Sequence, residues 1–345
     1  MLIFKQLAGF LLFLLLVPVG CSGGTGSNPN LKSSGYNIHT DGNPQSEKWG
    51  EYLFDHMSRR SNVKDVVVWQ GEDKNYMTID IGVDNALEKD YCINCEPQYL
   101  TLRAKDDHVM LWLIYQLMSQ LANHDNRFAA GDLPPAVLSF HDRCMDFDFE
   151  YREPYFNPNL FSEYARILGN NVVEEDWAIW GHNLKKALGG NKKVYTKQTS
   201  WNDIEAVQYC FSNEDIYKEL ERYIVDNFGD GKGHSRKFMI MPNDNDIVCT
   251  CKLCLSNGNT PKNATPAVTR LIKQLATRYP DHMFFTTAYL TTIEPPKEKL
   301  PANTGVMIST IDLPKGVALN NQKEVKAFLS TLDKWKNCTA NIYIW

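Results

Sequence analysis

The chain has 345 residues, 43% of them hydrophobic and 12% aromatic, which is enough to build a core in one large domain or two smaller ones. Its formal net charge is −5, with acids and bases spread along the chain. It carries no basic patch of the kind nucleic acids require, which excludes that partner.

The first six residues carry one positive side chain, Lys5, and lead into the apolar run LAGFLLFLLLVPV. That run has the length of a signal peptide and is short for a membrane span. It ends in VPVGC, where Gly20 and Cys21 read as a lipobox, although Pro18 departs from the usual leucine. Residues 1–20 are therefore expected to be a lipoprotein signal peptide, with Cys21 lipidated. Residues 21–45, opening with SGGTGSNPN after Cys21, are expected to be a flexible tether. The expected location is the cell envelope, as an outer-membrane lipoprotein facing the periplasm or the surface, with the membrane engaged through the lipid on Cys21.

Next comes a helical stretch over 46–61, with Trp49, Tyr52, Leu53 and Met57 on one face. VKDVVVWQG and MTIDIGV read as strands, and HVMLWLIYQLMSQLANHD as a second helix. Together they predict a small α/β domain over 46–143, with the irregular segment GDLPP near its end. Beyond it, strand-like runs recur, the first four at intervals of about thirty residues, the length of a βα unit. They begin at Asp146, Asp176, Ala206, Lys237, Met283, Gly305 and Asn341. Helices are signalled between them, one capped by Ser212 and bearing Ile216, Leu220 and Ile224, another capped by Thr265 with Pro266 behind it.

Two architectures use such alternation, a doubly wound sheet and a (β/α)8 TIM-type barrel. The first strand is not followed by a glycine-rich phosphate loop, and polar or aromatic residues follow nearly every strand, so the barrel is favoured for 144–345. An eighth unit is missing because the chain stops at Trp345, so the barrel is expected to be truncated at its C-terminus.

Barrel chemistry sits at the carboxyl ends of the strands. Those positions hold Arg152, Trp180, His182, Asn243, Tyr289 and three carboxylates, Asp244, Asp246 and Asp312. Paired acids among aromatics suit recognition of a sugar and acid–base hydrolysis of a glycosidic bond. Asp244 is the expected acid, Asp246 its tuner and Asp312 the partner across the barrel mouth. The tuning would rest on burial or a like charge that keeps one carboxyl protonated. Arg152, Trp180, His182, Asn243 and Tyr289 would bind substrate. A blander reading of PNDND is turn chemistry, since each residue is a turn former.

Nine cysteines less Cys21 leave an even number, which permits disulfides in an oxidising compartment. Cys249, Cys251 and Cys254 fall in one short loop, with Cys210 at the end of the preceding strand. They read either as a structural zinc site or as a disulfide with spare thiols. Cys249–Cys251 is a poor disulfide at one-residue separation. Cys92 and Cys95 are expected to form a local disulfide. The expected chemistry requires no cofactor.

The blocks FEYREPYF, WAIWGHNL, VQYCFSNEDI, PNDNDIVCTCKLC and TTAYLTTIEPP resemble the domain-of-unknown-function family numbered 4838 over about 140–345. The resemblance implies a Bacteroidota envelope protein with a glycoside-hydrolase-like barrel behind an α/β domain, akin to α-glucuronidases and hexosaminidases. The family usually reads Asn-Asp-Gly where this chain has Asn243-Asp244-Asn245. The implied partner is a glycan bearing hexosamine or uronic acid. The alternative is a surface lipoprotein that binds glycans without cleaving them.

Overall fold

A computed structural model describes residues 31–32, 35–59, 66–123, 137–154, 161–189, 191, 194–199, 205–318, 320–321 and 323–345. The expected signal peptide, Cys21 and GDLPP lie outside these residues. No helix among the described residues is long and apolar enough to cross a membrane. The chain forms two compact units that divide at Val172/Val173. The expected division near 143 is displaced because β8 (Arg143–Met145) joins the N-terminal sheet and Phe147 and Ile167 pack against the N-terminal core.

The N-terminal unit holds β1 (Leu31–Lys32), β2 (Gly35–Thr40), β3 (Val66–Trp69), β4 (Met77–Val83), β5 (Tyr91–Glu96), β6 (Tyr99–Ala104), β7 (Val137–Leu138) and β8 (Arg143–Met145). Six of these form one mixed sheet in the order β3-β2-β4-β6-β5-β8. β2, β3, β4 and β6 run parallel, while β5 is antiparallel to β6 and to β8. Alternation sets the inner face: Met77, Ile79 and Ile81 are fully buried. The tether expected to reach residue 45 is shorter, because Tyr36 and Ile38 of β2 belong to this core.

The first helix is Pro44–Ser58; the Asn43 side chain accepts from Gln45 N at its start, and Pro44 needs no amide hydrogen there. Trp49, Leu53 and Met57 recur every four residues and are buried. Their helix joins the helix Asp107–Asn123, where Asp107 accepts hydrogen bonds from Trp49 Nε1 at 2.7 Å and Gln45 Nε2 at 2.8 Å.

Cys92 of β5 is disulfide-bonded to its ladder partner Cys144 of β8, and Cys95 is a free thiol. The expected Cys92–Cys95 bond is thus corrected. Residues three apart on a strand point to opposite faces, so the pairing runs across the ladder.

The C-terminal unit contains β9 (Trp177–Ile179), β10 (Tyr195–Thr199), β11 (Glu205–Tyr209), β12 (Lys237–Met239), β13 (Met283–Ala288), β14 (Thr304–Ile308) and β15 (Asn341–Ile344). Five of them form an all-parallel sheet in the order β15-β14-β13-β12-β9. The helices Glu214–Phe228, Thr265–Arg278 and Lys326–Lys336 fall between them in sequence. Phe238 stacks on Phe284, and both pack with Ile216, Leu220 and Ile224 of the first of these helices. That helix is capped by Asn213, one residue later than the expected Ser212.

Among the described residues no closed eight-stranded barrel is present. Two of its expected strands are placed otherwise: Asp146–Tyr151 forms no strand, and β11 pairs antiparallel with β10 as a separate hairpin. The parallel sheet is nevertheless sharply curved. In a flat sheet its edge strands β9 and β15 would lie about 19 Å apart at the usual strand spacing. Yet the rings of Trp177 on β9 and Tyr343 on β15 approach to 6.5 Å, with Phe285 of β13 at 5.2 Å from the first and 4.9 Å from the second. The fold is an open arc whose strand ends converge on its concave side.

Candidate active site

Because the five strands are parallel, their carboxyl ends share one rim of the arc. His182 follows β9, Asp244 follows β12, Tyr289 follows β13, Asp312 follows β14 and Trp345 follows β15. Curvature brings four of these into contact range. The Tyr289 hydroxyl donates to Asp244 Oδ1 at 3.1 Å. The rings of Tyr289 and Trp345 meet edge to face at 5.7 Å, and His182 lies 6.1 Å from each. Burial raises the Tyr289 phenol above its usual value, and the hydrogen bond and charge of Asp244 and then the charge of Asp312 act in the same direction. Asp312 is thus close enough for its charge to act on Tyr289.

His182 is oriented by its backbone contact. Its Nδ1 donates to the Pro242 carbonyl at 2.7 Å, and its buried Nε2 has no hydrogen-bond partner among the described residues. In a neutral ring with the proton on Nδ1, Nε2 is an acceptor. A buried, unanswered acceptor beside two aromatic rings is a place for a ligand hydroxyl or amide to donate.

Tyr289 is held by a strained turn. Leu290 has φ +45°, a left-handed conformation that costs a non-glycine residue on the order of 1 kcal/mol. The turn is fixed by Thr292, whose amide and hydroxyl both donate to the Tyr289 carbonyl at 2.9 and 3.0 Å, and by Ala264 N, which donates to Thr291 O at 2.8 Å.

The loop carrying Asp244 is clamped by Gln208, a buried residue of β11. Gln208 Oε1 accepts from Asn243 N at 2.9 Å and from Tyr209 N at 3.0 Å. Its Nε2 donates to Asn245 Oδ1 at 3.0 Å and Asn243 O at 3.3 Å. Asn243, expected to bind substrate, donates its side-chain amide to Val207 O at 2.7 Å and so works as part of this clamp.

The other expected residues are distributed more widely. Asp244 and Asp246 are both exposed, so the expected burial of one of the pair is not realised. Trp180 packs against Trp177 at 4.8 Å. Arg152 belongs to the N-terminal unit, where its guanidinium donates to the Gly169 and Phe149 carbonyls and lies 3.9 Å over the Phe147 ring. Trp345 stands at the carboxyl end of the last strand, where sequence order places it, whereas Gln208 has only one sequence signal, a lone amide between Val207 and Tyr209.

The sulfurs of Cys210, Cys249, Cys251 and Cys254 all lie within 4.8 Å of one another, a cluster that could bind a metal. Cys210 is 3.7 Å from Cys251 and from Cys254, far beyond a disulfide bond. Hydrogen bonds from Cys210 and then Cys249 pull the Cys254 thiol down, and contacts with Cys249 and Cys254 push Cys210 up.

A family model described as Domain of unknown function (DUF4838) matches residues 148–345. The chain belongs to this family. No curated protein matches its sequence. Among solved structures, the β-N-acetylhexosaminidase from Bacteroides fragilis NCTC 9343 is similar with a TM-score of 0.50 at 13% identity, over 91% of this chain and 72% of that one. The Streptomyces plicatus N-acetyl-β-hexosaminidase in complex with Thio-NAglucal is similar with a TM-score of 0.51 at 12% identity, over 95% of this chain and 73% of that one. At these identities the likeness is one of fold. It supports a glycoside-hydrolase-like architecture for this member of DUF4838.

Proposed function

We propose that this DUF4838 protein is an exported glycoside hydrolase acting on a hexosamine-bearing glycan. The observation that carries the reading is the Asp244–Tyr289 hydrogen bond beside His182, whose Nε2 lacks a partner among the described residues. A pyranose stacks on Trp345 and Tyr289 and donates a hydroxyl or amide to His182 Nε2. Tyr289 holds Oδ1 of Asp244, and Oδ2 delivers a proton to the leaving oxygen. Water, or the sugar's own acetamido oxygen, attacks the anomeric carbon, with Asp312 taking the proton from attacking water. Asp246 adds negative charge nearby, and Trp180 extends the aromatic face.

Hexosamine is preferred to uronic acid on electrostatic grounds. Asp244 and Asp312 would repel a uronate, and Arg152, the arginine expected at the site, is engaged within the N-terminal unit. The names of the two similar enzymes agree with this choice. Export, with lipid attachment at Cys21 in the outer membrane, is part of the proposal and is supported by the Cys92–Cys144 disulfide, a bond of oxidising compartments. The chemistry needs no cofactor, and the ion assigned to the four thiolates is zinc in a structural role.

A second reading is favoured by the exposure of both Asp244 and Asp246: capture of the glycan without cleavage. Aryl N-acetyl-β-hexosaminides and aryl glucuronides, assayed with wild type and Asp244→Asn, separate the two. Turnover that is lost in the variant while glycan binding persists supports hydrolysis. Full activity in Asp244→Asn removes the acid role, and binding without turnover in wild type selects the second reading.

A further inference from the structure

We propose that a single zinc ion bound by Cys210, Cys249, Cys251 and Cys254 fastens the β10–β11 hairpin to the loop that carries Asp244, and so positions that carboxylate. The inference rests on the zinc assignment above and goes beyond it by giving the ion a mechanical task in the site.

The geometry suits a tetrahedral ion. Four Zn–S bonds of about 2.3 Å place the sulfurs about 3.8 Å apart. Two of the separations here are 3.7 Å, and all four sulfurs fall within 4.8 Å. The surroundings also suit thiolates. Ser212 directs its hydroxyl and its backbone amide at Cys254, and the Cys251 amide is directed at Cys249. Such donors stabilise metal-bound sulfur and fix its orientation. In a chain whose Cys92 and Cys144 are oxidised, four neighbouring thiols also need protection from oxidation, and a bound ion supplies it.

The ligands lie on the two sides of one seam. Cys210 directly follows β11, and its amide donates to Val194 O at 2.8 Å, at the start of the hairpin. Cys249, Cys251 and Cys254 belong to the segment after β12, as does Asp244. The seam is otherwise held at one end by Gln208 with Asn243 and Asn245, and at the other by Asn257 Nδ2 donating to Ser212 Oγ at 2.8 Å. Among the described residues the hairpin forms a sheet of its own, separate from the parallel sheet. Bonds across the seam therefore replace the ladder that would hold a barrel strand in place. An ion shared by both sides is the strongest link available there, because thiolate ligation contributes directly to folding.

The test uses the purified full chain and needs no glycan. Elemental analysis is expected to find one zinc per chain, and replacement by cobalt to give the sulfur-to-cobalt charge-transfer and ligand-field bands of a tetrahedral thiolate site. Cys251→Ser, at an exposed ligand whose loss the fold should tolerate, is expected to lose tight zinc binding. Removing zinc with a mercurial and a chelator should abolish amide-exchange protection in 207–211 and 243–259 while β13 and β14 keep theirs. Disulfides among these four cysteines, or four freely titrating thiols without metal, would overturn the ion. Bound zinc whose removal leaves exchange along the seam unchanged would overturn its positioning role. Neither result depends on whether the protein cleaves glycans.

Discussion

The hydroxyl of Tyr289 donates to Oδ1 of Asp244 across 3.1 Å, joining the ends of two adjacent parallel strands. The bond orients the carboxylate and places the phenol ring against Trp345. Tyr289→Phe keeps the ring and removes the donor. A hydrogen bond that only orients the acid is worth about 0.5–1.5 kcal/mol, so turnover on an aryl hexosaminide is expected to fall roughly two- to tenfold. Thermal unfolding should be little changed, because the hydroxyl lies at the exposed rim.

Trp345 is half exposed, and its ring lies 5.7 Å from that of Tyr289 and 6.1 Å from that of His182. Trp345→Ala removes the stacking face. Glycan affinity measured by calorimetry is expected to drop at least about tenfold, or 1.4 kcal/mol. An unchanged affinity would move the sugar subsite elsewhere on the rim.

Gln208 is 1% exposed and uses both ends of its amide to hold the Asp244 loop. Gln208→Ala would leave buried donors and acceptors on both sides of the seam without partners. The expected cost is about 2–4 kcal/mol, read as a lower urea midpoint, together with impaired activity. Gln208→Glu keeps the acceptor but replaces the donor with charge, and should be no better.

The Cys92–Cys144 bond closes a loop with a sequence separation of 52 residues in the N-terminal unit. By chain-entropy reasoning a link of that span contributes up to about 4 kcal/mol. The double variant Cys92→Ala, Cys144→Ala is expected to unfold at distinctly lower temperature. Replacing Cys95, the free thiol beside them, with Ala should have a much smaller effect.

Alkaline pH should loosen the C-terminal unit. Burial, followed by the influence of Tyr195, pushes the Tyr209 phenol from its usual 10.0 up to about 12. The folded state holds this proton more tightly than the unfolded chain. The resulting stability is fully present below pH 10 and is lost as pH rises through 12. Tyr195, Tyr217, Tyr279 and Tyr289 are shifted in the same direction. Urea midpoints measured across this range, alongside tyrosinate absorbance, are expected to fall together.

Local sequence was enough to locate the helices Pro44–Ser58 and Thr265–Arg278 and strands such as β4, β13 and β14. Their hydrophobic periods and turn residues act over a few positions, and nothing distant competes with them. Local order also sufficed to place Asp244, Tyr289 and Asp312 after successive parallel strands, since a βαβ chain returns each strand end to the same rim. Partner choice was different, because it depends on residues remote in sequence. β11 looked like a barrel stave but pairs with β10. Cys92 reaches across a ladder to Cys144, and Gln208 became a clamp only when the Asp244 loop folded onto it. Curvature of the sheet was equally illegible, yet it is what brings Trp345 to His182. Side-chain periodicity shows which face of a strand is buried; the neighbour it meets, and how far the sheet bends to meet it, is settled by packing over the whole unit.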